Sequence, residues 1–483
     1  MTVSRPHIVW FRDDLRLADN PALFHAARSG APVLALYLLE PEDALRRQPG
    51  AAALWWLHGS LESLGRDLAS RGVPLSLLRG SAHATLPALA HSVGACAVSW
   101  NRRPGACSRE KDEILAAPLK DEGVDARHFP ANMLFEPGSV RTGSGGPYRV
   151  FTPFWRAARQ MTPESPLPVP EEIMGWRGAF ESDNLDDWAL RPTRPNWASG
   201  LAQAWTPGEA NARRRLDAFM EGAIRDYGAG RDFPASAATS LLSPSLRFGE
   251  ISVREIWYRV GAAMHAKEAP EADAEKFLSE VGWREFCHHL LCDHPDLATR
   301  NFNSAFDHFD WASDSRGLEA WQKGQTGYPI VDAGMRELWA TGWMHNRVRM
   351  ITASFLTKHL LIDWREGERW FWDTLVDADP ANNPAGWQWV AGCGADAAPY
   401  FRIFNPVLQG EKFDPDGAYV RHWVPELERL DKRWLHKPWE APARMLAEAQ
   451  IRLGETYPQP VVDHGAARKR ALATYETMKR DAP

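Results

Sequence analysis

Short apolar runs alternate with helical segments in the first 130 residues of the chain. The segments between the runs carry helix signals, such as Asn20 as an N-cap immediately before Pro21. The runs, which are typical of buried parallel strands, are 7–11, 32–39, 74–80 and 95–100. Strands alternating with helices predict a doubly wound, Rossmann-like parallel sheet. No GxGxxG follows the first run, so we do not expect a dinucleotide at its usual place.

The chain changes character twice after this region. Residues 131–199 are rich in proline and weakly periodic, which predicts a long linker lying over a surface. From 200 onward strand-like runs nearly disappear and helical patterns dominate. We therefore expect an α/β domain at 1–130, a linker at 131–199 and a larger all-helical domain at 200–483. A length of 483 residues also favours more than one domain.

Charge and cysteine usage exclude several classes of protein. The formal net charge is −6, so any nucleic-acid site must be a local basic patch. Five cysteines without a CxxC pair indicate free thiols in a reducing compartment, and with no apolar signal peptide this predicts a cytoplasmic chain. His288 and Cys292 share a helix face, but ordinary ligand spacing is missing and we expect no metal. Neither HExxH nor GxSxG occurs, which argues against a zinc protease or ester hydrolase.

Three short segments combine residue types that suggest a binding site. In "WMHNRVRM" (343–350) cations stand at the start of a predicted helix, where the macrodipole disfavours them, so a ligand or partners such as Asp377 and Asp379 are expected. Hydroxyl residues within 239–243 precede a helical stretch and are typical of either a phosphate cradle or a plain cap. In "DADPANNPAGWQW" (377–389) the Pro-Ala-Gly step is expected to turn the chain sharply.

The longest motifs resemble the photolyase/cryptochrome family, and within it the bacterial photolyases that repair cyclobutane pyrimidine dimers. The match runs in order over nearly the whole chain. It is carried by "VWFRDDLRLADNPAL" (9–23), the serine-rich segment 231–252, "WREF" (283–286), and the long blocks 326–389 and 396–427.

The resemblance implies an antenna-binding α/β domain, a linker and a helical domain that holds FAD. Asn383 matches the position beside flavin N5, and Arg349 with Asp377 would form an ion pair across the isoalloxazine. Leu241 and Phe277 stand where some relatives have Arg and Trp. The implied FAD residues are Tyr227, Thr239, Ser240, Leu241, Leu242, Ser243, Phe277, Arg284, Asn346, Arg349, Asp377, Ala378, Asp379 and Asn383.

The resemblance also implies light-driven repair of UV-damaged DNA by a monomer. Excited reduced FAD would donate an electron to a dimer flipped out of the duplex. The implied lesion pocket comprises Glu280, Trp283, Asn346, Met350 and Trp389. The implied phosphate contacts are Arg231, Arg347, Arg402 and Lys412, and the implied tryptophan electron chain is Trp311, Trp364 and Trp387.

Alternatives remain for the antenna and for the activity. The segment 102–112 has Cys107 and Ser108 where some members have an Asn-Glu pair that holds methenyltetrahydrofolate. This departure leaves a folate that is bound differently, a deazaflavin or no antenna as alternatives, of which the folate is favoured. A cryptochrome-type light sensor would usually carry a long C-terminal extension. A photolyase for (6-4) lesions should show a His pair near the lesion and lack the second stacking Trp. The most distant alternative is a redox flavoprotein that does not act on DNA, and such a protein would not need basic residues in its pocket.

Overall fold

The computed structural model describes residues 4–41, 47–103, 106–398 and 401–481, without the side chains of residues 106–109, 111 and 481. These residues form two compact units. The first comprises the chain up to Arg225 together with Ser240–Pro295, and the second comprises Asp226–Thr239 and the chain from Asp296 onward. The predicted domain boundaries stay a prediction, and the segment Ser240–Pro295 belongs to the compact unit that contains the sheet.

A five-stranded parallel sheet forms the centre of the first unit. The strands pair in the order β3-β2-β1-β4-β5, with Trp10 of β1 opposite Trp100 of β4. The strands are β1 (His7–Phe11), β2 (Val33–Leu39), β3 (Leu75–Arg79), β4 (Ala97–Asn101) and β5 (Asp125–Phe129). Strand β1 is buried along its whole length, which explains why its sequence is apolar rather than alternating. The predicted doubly wound sheet is confirmed.

Helices connect and cover these strands. The predicted cap of α1 is present, since the Asn20 side chain accepts a hydrogen bond from the backbone N–H of Leu23 and Pro21 opens the helix. The helices up to residue 295 are α1 (Pro21–Arg28), α2 (Ala51–Ser70), α3 (Ala82–Val93), α4 (Ala106–Asp121), α5 (Phe151–Ala158), α6 (Ser199–Ala204), α7 (Glu209–Glu221), α8 (Tyr227–Gly230), α9 (Ser243–Arg247), α10 (Val253–His265) and α11 (Glu271–Asp293). Of these, α8 belongs to the second unit.

The proline-rich segment 131–199 packs closely against the sheet. Gly175 pairs with Val33 at the start of β2, and Trp176 joins the hydrophobic core beneath the sheet. Further along, the backbone N–H of Asp183 donates to the carbonyl of Leu77 in the edge strand β3 at 2.7 Å. The segment therefore covers an edge of the sheet, which weak periodicity alone did not predict.

The second unit is almost entirely helical, as predicted. Its core is a large cluster of buried apolar side chains, including Trp321, Trp364 and Trp387. A π-helical turn (Phe355–His359) follows α14. The α-helices after residue 295 are α12 (Ser315–Gln322), α13 (Pro329–Thr341), α14 (Asn346–Ser354), α15 (Trp364–Thr374), α16 (Asn382–Ala391), α17 (Pro406–Phe413), α18 (Ala418–Trp423), α19 (Lys432–Leu435), α20 (Ala443–Glu448) and α21 (His464–Asp481). In the described ranges no helix has both the length and the apolar character needed to cross a membrane.

The expected sharp turn at Pro-Ala-Gly is wrong, because these residues lie inside α16 (Asn382–Ala391). Pro384 falls in the first turn of the helix, where a missing backbone N–H costs no hydrogen bond. The Asp379 carboxylate accepts from the backbone N–H groups of Ala381 and Asn382 and so caps this start.

Candidate functional site

An ion pair joins two of the residues assigned to FAD in the second unit. The Arg349 guanidinium donates to Asp377 Oδ2 at 2.8 Å and to the carbonyl oxygen of Met344 at 2.7 Å. Asp377 is only 7 % exposed, and its other carboxylate oxygen, Oδ1, is buried with no hydrogen-bond partner among the described residues. Leaving such an acceptor unsatisfied costs about 1–3 kcal/mol. The site therefore fits a ligand that brings a donor to Asp377.

The start of α14 accommodates its two arginines through ion pairs. His345 caps the helix by accepting from the backbone N–H of Arg347, and burial lowers the pKa of His345 to about 4. The imidazole is therefore neutral at pH 7. Arg347 pairs with Asp232 at 2.7 Å, just as Arg349 pairs with Asp377. Arg349 therefore has the expected partner Asp377, whereas the partner of Arg347 is Asp232, which was not among the expected residues.

Asn383 is held in one orientation at the start of α16. Its Nδ2 donates to Glu368 Oε1 at 2.9 Å and to the Glu368 carbonyl at 3.1 Å. Because both contacts use the amide nitrogen, Oδ1 is the atom left to accept a hydrogen bond. Glu368 lies on α15 and is 1 % exposed. The residue assigned to flavin N5 thus presents a carbonyl oxygen fixed by a buried acid.

The part of the serine-rich segment from Ser240 onward belongs to the first unit and contains a strained residue. Leu241 has φ of +52°, in the left-handed region that side chains other than Gly seldom adopt. Leu242 then caps α9 (Ser243–Arg247), where Ser243 is the first helical residue. Strain of this kind tends to be kept at ligand sites, where it orients backbone groups. It supports a backbone contact at Leu241 in place of the side chain found in some relatives.

Two further FAD candidates lie on α11 of the first unit. The Arg284 guanidinium contacts the fully buried Glu285, whose other oxygen accepts from the backbone N–H groups of Leu134 and Phe135. Burial is the largest cause that raises the pKa of Glu285, to about 7. Phe277 is buried against Phe219 with ring centroids 4.6 Å apart. Phe277 therefore contributes to the core of this unit, and its contact with FAD stays a prediction.

A basic cluster in the second unit includes most of the predicted phosphate contacts. Arg347 lies over the Phe413 ring at 4.5 Å, and Lys412 Nζ lies 5.0 Å from the same ring. Arg231 approaches Asp232 at 3.9 Å. The structure therefore brings Arg231, Arg347 and Lys412 together around Asp232 and Phe413. Arg402 is exposed on the same unit.

The predicted lesion residues divide between the units. In the first unit, Glu280 pairs with Lys276 at 3.1 Å, and Trp283 is partly exposed on the same helix, α11. In the second unit, Trp389 donates from Nε1 to the carbonyl of Asp396 at 3.0 Å. Asn346 is exposed at the start of α14, and Met350 follows one turn later.

The three tryptophans of the predicted electron chain share one hydrophobic cluster in the second unit. Trp387 is 3 % exposed and meets Phe371 edge to face at 4.9 Å. Trp364 is fully buried and donates from Nε1 to Asn301 Oδ1 at 2.9 Å. Trp311 is partly buried against Phe309. In α16, Trp387 faces this core whereas Trp389 is more exposed, so the two indoles point to different surroundings.

The remaining FAD candidates lie in the second unit, and the His288–Cys292 pair lies in the first. Tyr227 is buried at the start of α8, Thr239 is half-buried, and Ala378 and Asp379 are buried beside Asp377. His288 and Cys292 are buried on α11, and within the described ranges no three His, Cys, Asp or Glu side chains gather as a metal site. Cys107 and Ser108 begin α4, but their side chains lie outside the described residues.

Sequence reasoning missed two buried acids that hold site residues. Glu368 orients Asn383, and Glu337 accepts from the backbone N–H of His345 at 3.2 Å and from the Tyr419 hydroxyl at 2.6 Å. One signal was available for Glu368, since it falls on the same helical stripe as Trp364, Phe371 and other apolar residues. An acid on such a stripe is buried, and a buried acid needs a partner.

Comparison with known proteins agrees with this picture. A family model described as the FAD binding domain of DNA photolyase matches residues 277–477, and one described as DNA photolyase matches residues 7–171. A deoxyribodipyrimidine photo-lyase of Agrobacterium fabrum is 52% identical over 99% of both chains. The crystal structure of a bacterial class III photolyase from Agrobacterium tumefaciens has a TM-score of 0.95 at 51% identity, covering 99% of this chain and 98% of the other. Cryptochrome-1 of Arabidopsis thaliana is 40% identical over 96% of this chain and 69% of its own length. The chain belongs to the photolyase and cryptochrome family.

Proposed function

We propose that this chain is a light-driven DNA-repair enzyme, a photolyase that splits cyclobutane pyrimidine dimers. Of the relatives described above, the photolyase is more similar to the chain than the cryptochrome, at 52% against 40% identity, and it matches over its full length. The structural observation that carries the proposal is the Arg349–Asp377 pair, close in sequence to the oriented amide of Asn383. In the part of the chain that the structure describes, the buried Oδ1 atom of Asp377 has no hydrogen-bond partner.

The described residues fit FAD. Reduced FAD, when bound, supplies the electron that opens the cyclobutane ring under blue or near-UV light. Arg349 and Asp377 would bind the flavin ring, and Asn383 Oδ1 would accept a hydrogen bond from it. The strained backbone at Leu241 and the hydroxyl groups of Ser240 and Ser243 suit the phosphates, because N–H groups at a helix start favour anions. The other residues that the resemblance implies for the FAD site remain proposed contacts.

Recognition of the lesion is assigned to aromatic and polar side chains. Trp283 and Trp389 would each stack on a pyrimidine that has left the duplex, which contributes about 1–3 kcal/mol per base. Glu280, Asn346 and Met350 would contact the polar edges and the ring of the dimer. The basic cluster of Arg231, Arg347 and Lys412, with Arg402, would bind the phosphate backbone. Action as a monomer and a cytoplasmic location stay predictions.

An antenna chromophore is proposed for the sheet of the first unit, with methenyltetrahydrofolate favoured over a deazaflavin. In an open parallel sheet ligands bind outside the carboxyl ends of the strands where the strand order reverses, here between β1 and β4. Near those ends the indole N–H groups of Trp10 and Trp100 and His128 Nδ1 are buried without partners among the described residues. An absorption spectrum of released cofactors identifies the antenna and tests FAD in the same sample.

The experiment that tests the activity uses a duplex with one cyclobutane thymine dimer. The chemically reduced protein is illuminated with blue light, and intact thymines are measured by chromatography against a dark control. Loss of dimers only in the light is expected. A duplex with a (6-4) product serves as the second substrate, and repair of that product alone would assign the chain to the sister class. Flavin binding without repair of either lesion would instead favour a cryptochrome-type sensor.

A further inference from the structure

The indole of Trp283 is stacked on the ring of Phe151. Their ring centroids are 3.9 Å apart and their planes differ by 10°. Phe151 opens α5 (Phe151–Ala158), whereas Trp283 lies in the middle of α11, so the contact joins two separate segments of the first unit. Phe151 is 8 % exposed and Trp283 is partly exposed. One face of the indole is therefore covered by a buried ring.

Two further aromatic side chains, Trp155 and Phe286, pack against the Phe151–Trp283 stack. Trp155 lies one turn beyond Phe151 and is nearly parallel to it, with centroids 6.2 Å apart and planes 13° apart. Phe286 meets the edge of Trp283 at 5.8 Å and 77°. These contacts restrain the Trp283 ring both along its normal and in its plane.

Gly282 lets α5 approach α11 this closely. A Cβ atom placed on Gly282 would lie 2.5 Å from the Trp155 ring, well inside van der Waals contact. The residue before Trp283 therefore has no side chain because the ring of Trp155 occupies that space. The same close approach sets the position of Phe151 against the indole.

We propose that Phe151 is a positioning residue for the lesion, which fixes the plane of Trp283 so that the opposite face of the indole receives a pyrimidine of the dimer. This inference rests on the proposed function, in which Trp283 stacks on the lesion. An aromatic surface that is already fixed loses little rotamer freedom on binding, and stacking weakens when the two planes are tilted. Phe151 therefore acts through Trp283 and contacts no substrate itself.

The test compares Phe151→Leu and Phe151→Tyr with Trp283→Ala and with Phe154→Leu as a matched control. Phe154 is on the same helix and is 1 % exposed, and its ring packs on Phe286 and His289. Phe151→Leu should weaken binding of dimer-containing DNA, and raise the KM for repair, by about tenfold. The light-saturated rate of the bound complex, the FAD content and the affinity for undamaged DNA should stay at the wild-type level. Phe151→Tyr retains the ring and should restore the affinity.

Each outcome decides between the explanations. If Trp283→Ala weakens binding of dimer DNA and Phe151→Leu does not, the positioning role is overturned. If Phe154→Leu lowers the affinity as much as Phe151→Leu, the effect is general packing and the inference also falls. If Trp283→Ala itself leaves affinity unchanged while the wild type repairs dimers, the stacking assignment fails although the enzyme assignment stands. Absence of repair by the wild type would refute the proposed function separately.

Discussion

The side-chain amide of Asn383 donates to the Glu368 carboxylate at 2.9 Å, which leaves the amide oxygen as the atom able to accept a hydrogen bond. This contact lies within the second unit and joins the middle of α15 to the start of α16, since Glu368 is on α15 and Asn383 on α16. An amide can make this contact without a proton being shared, whereas an acid at the same place cannot. Replacing the amide nitrogen of residue 383 with an oxygen, as in Asn383→Asp, should therefore change how the site responds to pH.

Asn383→Asp is predicted to make the bound flavin sensitive to pH. Two carboxylates in contact cannot both stay ionised, so one of the two is expected to take up a proton near neutral pH. The absorption spectrum of the bound flavin should then change between about pH 5 and about pH 8, while that of the wild type stays constant. The double variant Asn383→Asp, Glu368→Gln removes the second acid and should abolish the change. A pH response that survives in the double variant would contradict this explanation.

Trp387→Phe is predicted to block light-driven reduction of bound flavin by an added thiol but to spare repair by chemically reduced protein. Phenylalanine keeps an apolar ring beside Phe371 while removing the indole, which is the easier side chain to oxidise. The measurement is the change in flavin absorption under blue light. Trp321→Phe is the control, because Trp321 is also fully buried and meets Trp387 at 6.0 Å without being assigned to the chain. Equal losses in both variants would argue against a specific electron chain.

Asp232→Asn is predicted to strengthen DNA binding. Asp232 pairs with Arg347 at 2.7 Å and so neutralises one of the proposed phosphate contacts. With the charge removed, the slope of log affinity against log salt should steepen by up to about 0.9. Titration of labelled DNA at several salt concentrations measures both effects. Asp416→Asn removes the same charge from an exposed pair with Lys432, and an equal gain there would show that net charge rather than this pair is responsible.

Glu337→Gln is predicted to remove a pH-dependent loss of stability. Burial raises the pKa of Glu337 from 4.5 to about 7, so the folded chain binds this proton more tightly than the unfolded chain does. The stabilisation is full below about pH 4.5 and is lost as pH rises through about 7, a loss of roughly 3 kcal/mol. Glutamine can still accept from His345 and Tyr419 but does not titrate.

The check is the thermal midpoint of wild type and variant at about pH 5 and about pH 8. The midpoint of the wild type should fall relative to that of Glu337→Gln as pH rises. Glu448→Gln removes a carboxylate from an exposed pair with Arg444, and its thermal midpoint should change with pH as that of the wild type does. If the thermal midpoint of Glu337→Gln also changes with pH as that of the wild type does, Glu337 does not titrate between about pH 5 and about pH 8.

Much of the fold was predictable because buried strands and helix starts produce recognisable local sequence patterns. The buried strand β1 is a continuous apolar run, and the pair Asn20 and Pro21 marks the start of a helix. The Arg349–Asp377 pair was predictable from charges at a helix start that needed compensation. By contrast, Pro384 looked like a turn signal, and only its place in the first turn of α16 reconciles it with a helix.

Contacts between distant segments could not be predicted in this way. Phe151 and Trp283 are far apart in sequence, and each alone resembles an ordinary core aromatic. Glu368 is one of several acids in an acidic stretch, and its contact with Asn383 depends on how α15 and α16 pack. Such contacts follow from tertiary structure, which periodicity and capping signals do not encode.

The pairing of Asp183 with Leu77 has a consequence for dissecting the chain. Strand β3 is an edge strand of the sheet, and an uncovered edge strand can form hydrogen bonds with the same strand of a second molecule. Deletion of residues 175–183 from the full chain would remove this cover and is expected to make the chain aggregate more readily than the intact one. The segment 131–199, which the sequence predicts to be a linker, therefore also protects the edge of the sheet from self-association.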